Sequence, residues 1–126
     1  MSKSILIIDD EEDVKAIAKM GLEMAANWSV ITASSGKEGL SLAAAQQPEV
    51  ILLDLMMPDW DGKETLQQLK NNPKTANIPV ILMTAKTQSA LASEVENLAI
   101  IGVITKPFRP LQLPEQINQI LTTYEL

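Results

Sequence analysis

The sequence predicts an α/β fold: one five-stranded parallel sheet with helices on both faces. Two observations carry this. Five short apolar runs are rich in Ile, Val and Leu, and most are continuous rather than alternating. Such runs suit strands covered on both sides. Between successive runs lie segments with helical spacing. A β-α unit repeated five times implies a parallel sheet with right-handed crossovers.

The elements follow in order. Ile5–Ile8 is the first strand. Val14, Ile17, Ala18, Gly21, Leu22 and Ala25 then make an i, i+3, i+4 stripe, a helix with one apolar face. Trp28–Ala33 is the second strand. Ser35 and Glu38 have capping-box spacing and open a second helix, whose smaller stripe is Leu40, Ala43 and Ala44. Val50–Leu55 is the third strand. Asp61 and Glu64 repeat the capping spacing, and Leu66 and Leu69 mark the third helix. Asn71-Asn72-Pro73 should stop it. Val80–Met83 is the fourth strand, and Leu91, Val95 and Leu98 mark a fourth helix. Val103–Thr105 is the fifth strand. Leu113, Ile117, Ile120, Leu121 and Tyr124 mark the fifth helix. Pro110 and Pro114 compete for its first position, and regular helix is expected from about Leu113.

Composition narrows the function classes. The chain has 126 residues, 16 acidic and 10 basic, with no histidine and no cysteine. That length suits one domain over residues 1–126, with nothing left over for a second. Disulfides, thiolate or imidazole metal sites, cysteine nucleophiles and histidine-based triads are excluded. Any metal must be held by oxygen. An acidic chain with no basic run is a poor nucleic-acid binder. No apolar run is long enough to span a membrane, and the N-terminus does not resemble a signal peptide. The absence of cysteine agrees with a cytoplasmic setting.

The aspartates are the most informative residues. All six fall in two windows: Asp9, Asp10 and Asp13 after the first strand, and Asp54, Asp59 and Asp61 at or after the third. In open parallel sheets, ligand sites form beyond the carboxyl ends of the strands. If strands one and three lie side by side, both windows meet at one rim. Asp13 and Asp61 fit the ordinary reading as loop and helix-cap residues. Asp54 does not, because it interrupts the apolar run Ile51-Leu52-Leu53-Asp54-Leu55-Met56. Carboxylates sharing a site repel, and a divalent cation resolves the repulsion. Magnesium is commonly held by one or two carboxylates plus a phosphate. Thr84 and Lys106 end the fourth and fifth strands. A hydroxyl and an ammonium beside a metal–carboxylate pair describe a phosphoryl site, which works by positioning and charge neutralisation.

Four stretches together resemble the receiver domain of two-component response regulators over nearly the whole chain. They are Ile7-Ile8-Asp9-Asp10, the run from Asp54 to Gly62, the run from Ile78 to Ala85, and Lys106-Pro107-Phe108. The resemblance implies a flavodoxin-like (βα)5 sandwich with strand order 2-1-3-4-5. It implies a phosphoprotein in which Asp54 accepts a phosphoryl group, as an aspartyl phosphate, from a sensor histidine kinase or histidine phosphotransfer protein. It further implies that Asp10, Asp54 and the Met56 backbone carbonyl ligate Mg2+, with Mn2+ able to substitute, and that Asp9 acts through a water. Lys106 would pair with Asp54 and then with the phosphoryl oxygens. Thr84 would hydrogen-bond them and move inward on switching. Pro107 would follow Lys106 across a cis peptide, and Gly62 would permit the close turn into the third helix.

Two positions depart from the family pattern. Receivers usually carry Tyr or Phe three residues before the Lys, and here that residue is Val103. A β-branched side chain cannot swing a ring between core and surface. The fourth helix usually ends at Gly-Ala, and here the residues are Ala99-Ile100. Either that helix ends differently or Ala99 accepts strain. Ile100, Ile101 and Val103 make this region apolar, as core or as a partner surface. Met56 and Lys86 flank the expected path of the hydrolytic water. Replacing Met56 with Asn is expected to change the acyl-phosphate half-life several-fold, because a thioether is a poor hydrogen-bonding group. Equal half-lives would contradict that role.

The resulting expectation is a stand-alone, cytoplasmic switch, a monomer or weak homodimer. It would self-phosphorylate weakly from small phosphodonors and dephosphorylate itself, without being an enzyme in the usual sense. Its fourth-helix, fifth-strand and fifth-helix face would signal to an output protein, not to nucleic acid or membrane directly. The alternative is a non-phosphorylated interaction module. A magnesium phosphohydrolase is a third class, but Asp54-Leu55-Met56 offers no second acid for a leaving group.

Overall fold

The computed structural model describes residues 3–55, 57, 61–85 and 98–125. Strand β1 (Ser4–Ile8) leads through helix α1 (Glu12–Ala26) to β2 (Ser29–Ala33). Helix α2 (Gly36–Gln46), β3 (Val50–Asp54), α3 (Gly62–Asn71) and β4 (Val80–Thr84) follow. Strand β5 (Gly102–Thr105) and a 3-10 turn (Pro110–Gln112) lead into the C-terminal helix (Leu113–Glu125). The strands form one sheet in the order β2-β1-β3-β4-β5, and every neighbouring pair is parallel. The fold class expected from the sequence is the one observed.

Two apolar cores sandwich the sheet, each built from alternate residues of the same strands. Ile5, Ile7, Val50, Leu52, Ile81, Met83 and Ile104 face α1 and the C-terminal helix, where Ala18, Leu22, Leu113 and Ile117 meet them. Leu6, Ile8, Ile51, Leu53, Val80 and Leu82 face the other way, against Ala43 of α2 and Leu66 and Leu69 of α3. Continuous burial along β3 and β4 explains why those runs do not alternate. Strands β2 and β5 lie at the sheet edges and are only partly buried.

Most expected boundaries hold to within a residue. Strand β2 begins at Ser29, and Trp28 is a buried core residue just before it. The Ser35 hydroxyl accepts the Glu38 amide at 3.1 Å and the Asp61 carboxylate accepts the Glu64 amide at 2.8 Å. The box at α2 closes differently, because Glu38 accepts from the Ser34 amide at 2.6 Å. Helix α3 ends at Asn71, as its Asn-Asn-Pro sequence predicts. The two prolines share the C-terminal start: Pro110 opens the 3-10 turn, and regular helix runs from Leu113.

Of the expected fourth helix, Leu91 and Val95 lie outside the described residues. Among the described non-glycine residues, positive φ occurs at Asn27 (56°) and Gln47 (50°), which close α1 and α2. Ala99 therefore carries no left-handed strain. Ile101 packs on the first core, and Ile100 and Val103 on the second. All three are half-buried, each resting on one of the two cores.

Candidate functional site

The carboxyl ends of β1, β3, β4 and β5 meet at one rim. Asp54 is the last residue of β3, in register with Met83 of β4, so Thr84 is the next β4 residue along. Thr84 is in register with Thr105, and its carbonyl accepts the Lys106 amide at 2.7 Å. The Leu55 amide donates to the Met83 carbonyl at 3.2 Å, which extends the ladder past Asp54. Asp9 follows β1, and its amide donates to the Ala33 carbonyl at 3.1 Å. Sheet register thus places residues 9, 54, 84 and 106 together although they are distant in sequence.

All but Lys106 are deeply buried. Asp9 and Thr84 are fully covered, and Asp54 is 3% exposed. The Lys106 ammonium lies 2.8 Å from Asp9, 3.5 Å from Asp54 and 3.8 Å from Glu11. Burial on its own pushes the Lys106 pKa down. The hydrogen bond to Asp9 and the charges of Asp54, Asp9 and Glu11 outweigh it, so the net shift is upward from the usual 10.5. The Lys106–Pro107 peptide bond is cis.

Carboxylate oxygens of Asp9, Glu11 and Asp54 all lie within 4.8 Å of one another. Three convergent carboxylates with one ammonium leave excess negative charge, and their hard oxygens suit a magnesium-type cation. Glu11 was not anticipated from the sequence. It precedes α1 in extended conformation (φ −90°, ψ 117°) and donates its amide to Asp9 at 2.8 Å. An Asp carboxylate that accepts the amide two residues on closes a local turn, and that preference of Asp was the available signal. Asp10, between them, is exposed and stands outside the close set. Met56 and Lys86 lie outside the described residues.

Gly62 seats α3 against this rim. A Cβ added there would lie 2.6 Å from Leu55 Cα and 2.8 Å from the Asp54 carbonyl oxygen. Its amide donates to the Leu55 carbonyl at 2.9 Å. Asp61, next to it, caps α3, and Asp13 lies in the first turn of α1. Val103 pairs in register with Leu82 and is half-buried against the second core.

Known proteins are similar to this chain in sequence and in fold. Residues 5–118 match the response regulator receiver domain family. The chain is 34% identical over its full length to the alkaline phosphatase synthesis transcriptional regulatory protein PhoP of Bacillus subtilis, covering 51% of that protein. It is 37% identical over 88% of its length to a probable cyclic di-GMP phosphodiesterase of Vibrio cholerae, covering 24% of it. The chain thus spans about half the length, or less, of these curated relatives. The structure overlays on chemotaxis protein CheY4 of Vibrio cholerae with TM-score 0.86 at 24% identity, covering 95% of this chain and 99% of that one. The N-terminal domain of a response regulator receiver protein from Methanoculleus marisnigri JR1 matches at TM-score 0.76 and 38% identity, covering 94% of this chain and 96% of that one. Among the described residues, no helix is long and apolar enough to cross a membrane. With the family match, the sheet order and the buried acid–lysine rim in agreement, the chain belongs to the response regulator receiver domain family of two-component signalling proteins.

Proposed function

We propose that residues 1–126 act as one phosphoacceptor switch. Asp54 takes a phosphoryl group from a phosphohistidine of a sensor kinase or phosphotransfer protein. An Asp54 carboxylate oxygen attacks phosphorus, the P–N bond breaks, a P–O bond forms, and the imidazole leaves with the electron pair. The observation that carries this reading is the buried Asp54 at the end of β3, with the Lys106 ammonium 3.5 Å away. These 126 residues hold no histidine, so a phosphohistidine donor lies outside them.

Asp9, Glu11 and Asp54 form the close carboxylate set that would hold Mg2+, and the family resemblance adds Asp10 and the Met56 carbonyl. Bound there, the cation supplies neutralisation of charge on the phosphoryl oxygens. Lys106 is within reach to move from Asp9 to those oxygens, and the Thr84 hydroxyl is the expected hydrogen-bond donor at the neighbouring strand end. The change then reaches an output protein through the fourth-helix, β5 and C-terminal-helix face. Val103 cannot supply the usual aromatic rotamer switch, so the relay from Thr84 passes through backbone and packing. Val103 also favours the second reading, a receiver-like interaction module that is not phosphorylated.

Incubation with Mg2+ and acetyl phosphate separates the two. The switch predicts a phosphate-affinity gel shift in the wild type, abolished by chelation and by Asp54→Ala. No shift, or one that survives Asp54→Ala, supports the interaction module.

A further inference from the structure

Five consecutive acids, Asp9 to Asp13, run from the end of β1 into α1. Of these only Asp9 and Glu11 join Asp54 in the close carboxylate set. Glu12 is held elsewhere. Its Oε1 lies 2.7 Å from Lys15 Nζ and accepts from the Ser34 hydroxyl at 3.2 Å. Lys15 Nζ also donates to the Ser34 hydroxyl. Lys15 is only 4% exposed, so its ammonium is committed to this contact rather than to solvent. Ser34 is itself fixed, because its amide donates to Glu38 of α2. Ala33, its neighbour, accepts the Asp9 amide. Residues 33 and 34 therefore anchor the acidic loop at both ends, Asp9 through the backbone and Glu12 through Lys15.

We infer that Lys15 is a positioning residue for the carboxylate pocket. By holding Glu12 against Ser34, it fixes the first turn of α1 so that Glu11 faces Asp9 and Asp54. The cation also removes one of five adjacent like charges from the local balance, which would otherwise push the loop apart. With Lys15 gone, Glu12 is released and the Glu11 amide loses the support that keeps it on Asp9. The clamp stands on the metal-free structure. Only its effect on Mg2+ rests on the proposed function.

The test uses two readouts. In metal-free protein, Lys15→Met should speed exchange of the Glu11 amide by about tenfold more than exchange of the β1 amides. By calorimetric titration with MgCl2, the same variant should bind Mg2+ about tenfold more weakly, as for other residues that orient ligands from behind. Lys15→Arg, which keeps the cation, should restore both. If Lys15→Met does not fold, Glu12→Ala carries the same test, because that side chain is 80% exposed and its loss releases Lys15 from the first turn of α1. A variant that melts earlier but leaves Glu11 exchange at the wild-type ratio overturns the inference, whatever its Mg2+ affinity. Faster Glu11 exchange in a protein whose wild type binds no Mg2+ upholds the clamp and refutes the metal reading instead.

Discussion

Replacing Lys106 with Met lowers the unfolding free energy by about 3 kcal/mol near neutral pH in the absence of divalent metal. The substitution keeps most of the stem packing and removes only the charge. Asp9 is fully buried and bonds Lys106 at 2.8 Å, and Asp54 is nearly as covered. Without the ammonium, three carboxylates within 4.8 Å of one another lose the cation that bonds Asp9 and sits beside Asp54. Two conditions should shrink the loss. Mg2+ supplies the missing positive charge and stabilises whichever state binds it. Acid does the same by reducing the negative charge that the substitution leaves at the rim. The wild type has the opposite dependence at the alkaline end. Its Lys106 pKa is raised above 10.5, so the lysine's contribution is complete below 10.5 and is lost as pH climbs through the folded value. Urea unfolding with chelator, with Mg2+ and across pH checks all three. Equal stability of the variant and the wild type under chelation would refute the account of the rim.

Gly62→Ala is expected to destabilise by about 1–3 kcal/mol and to slow phosphorylation of Asp54. The added methyl meets backbone, not a side chain that can turn away: Leu55 Cα at 2.6 Å and the Asp54 carbonyl oxygen at 2.8 Å. Either α3 retreats from the sheet or the end of β3 shifts, and the second moves the acceptor itself. Better helix propensity of alanine offsets less than about 1 kcal/mol of this. Denaturant midpoints combined with initial rates of acetyl-phosphate labelling measure both effects. A variant of unchanged stability and unchanged rate would show that the close approach is not required.

The fold was legible because burial wrote it into the chain. Strands β3 and β4 are covered on both faces, so their apolar runs are unbroken and Asp54 stands out within one of them. Caps at Ser35 and Asp61 were readable because a side-chain oxygen three residues before an amide has one local use. The site was harder within the run Asp9–Asp13. Adjacent acids look alike as letters, and which of them turns inward depends on the Asp9–Glu11 turn before α1 and on Lys15. The sequence points to Asp9 and Asp10; the structure adds Glu11, which stands with Asp9 in the close set, while Asp10 is exposed. Lys15 itself resembles any helix-surface lysine, since the Ser34 hydroxyl it bonds is 19 residues away.

The most direct measurement is to locate the phosphoryl group after brief labelling with acetyl phosphate and Mg2+. Peptide mass mapping should find one phosphoryl gain, confined to the peptide containing Asp54 and removed by hydroxylamine as an acyl phosphate would be. A gain mapped to any other residue, or a wild-type protein left unmodified, would contradict the assignment of Asp54 as the acceptor.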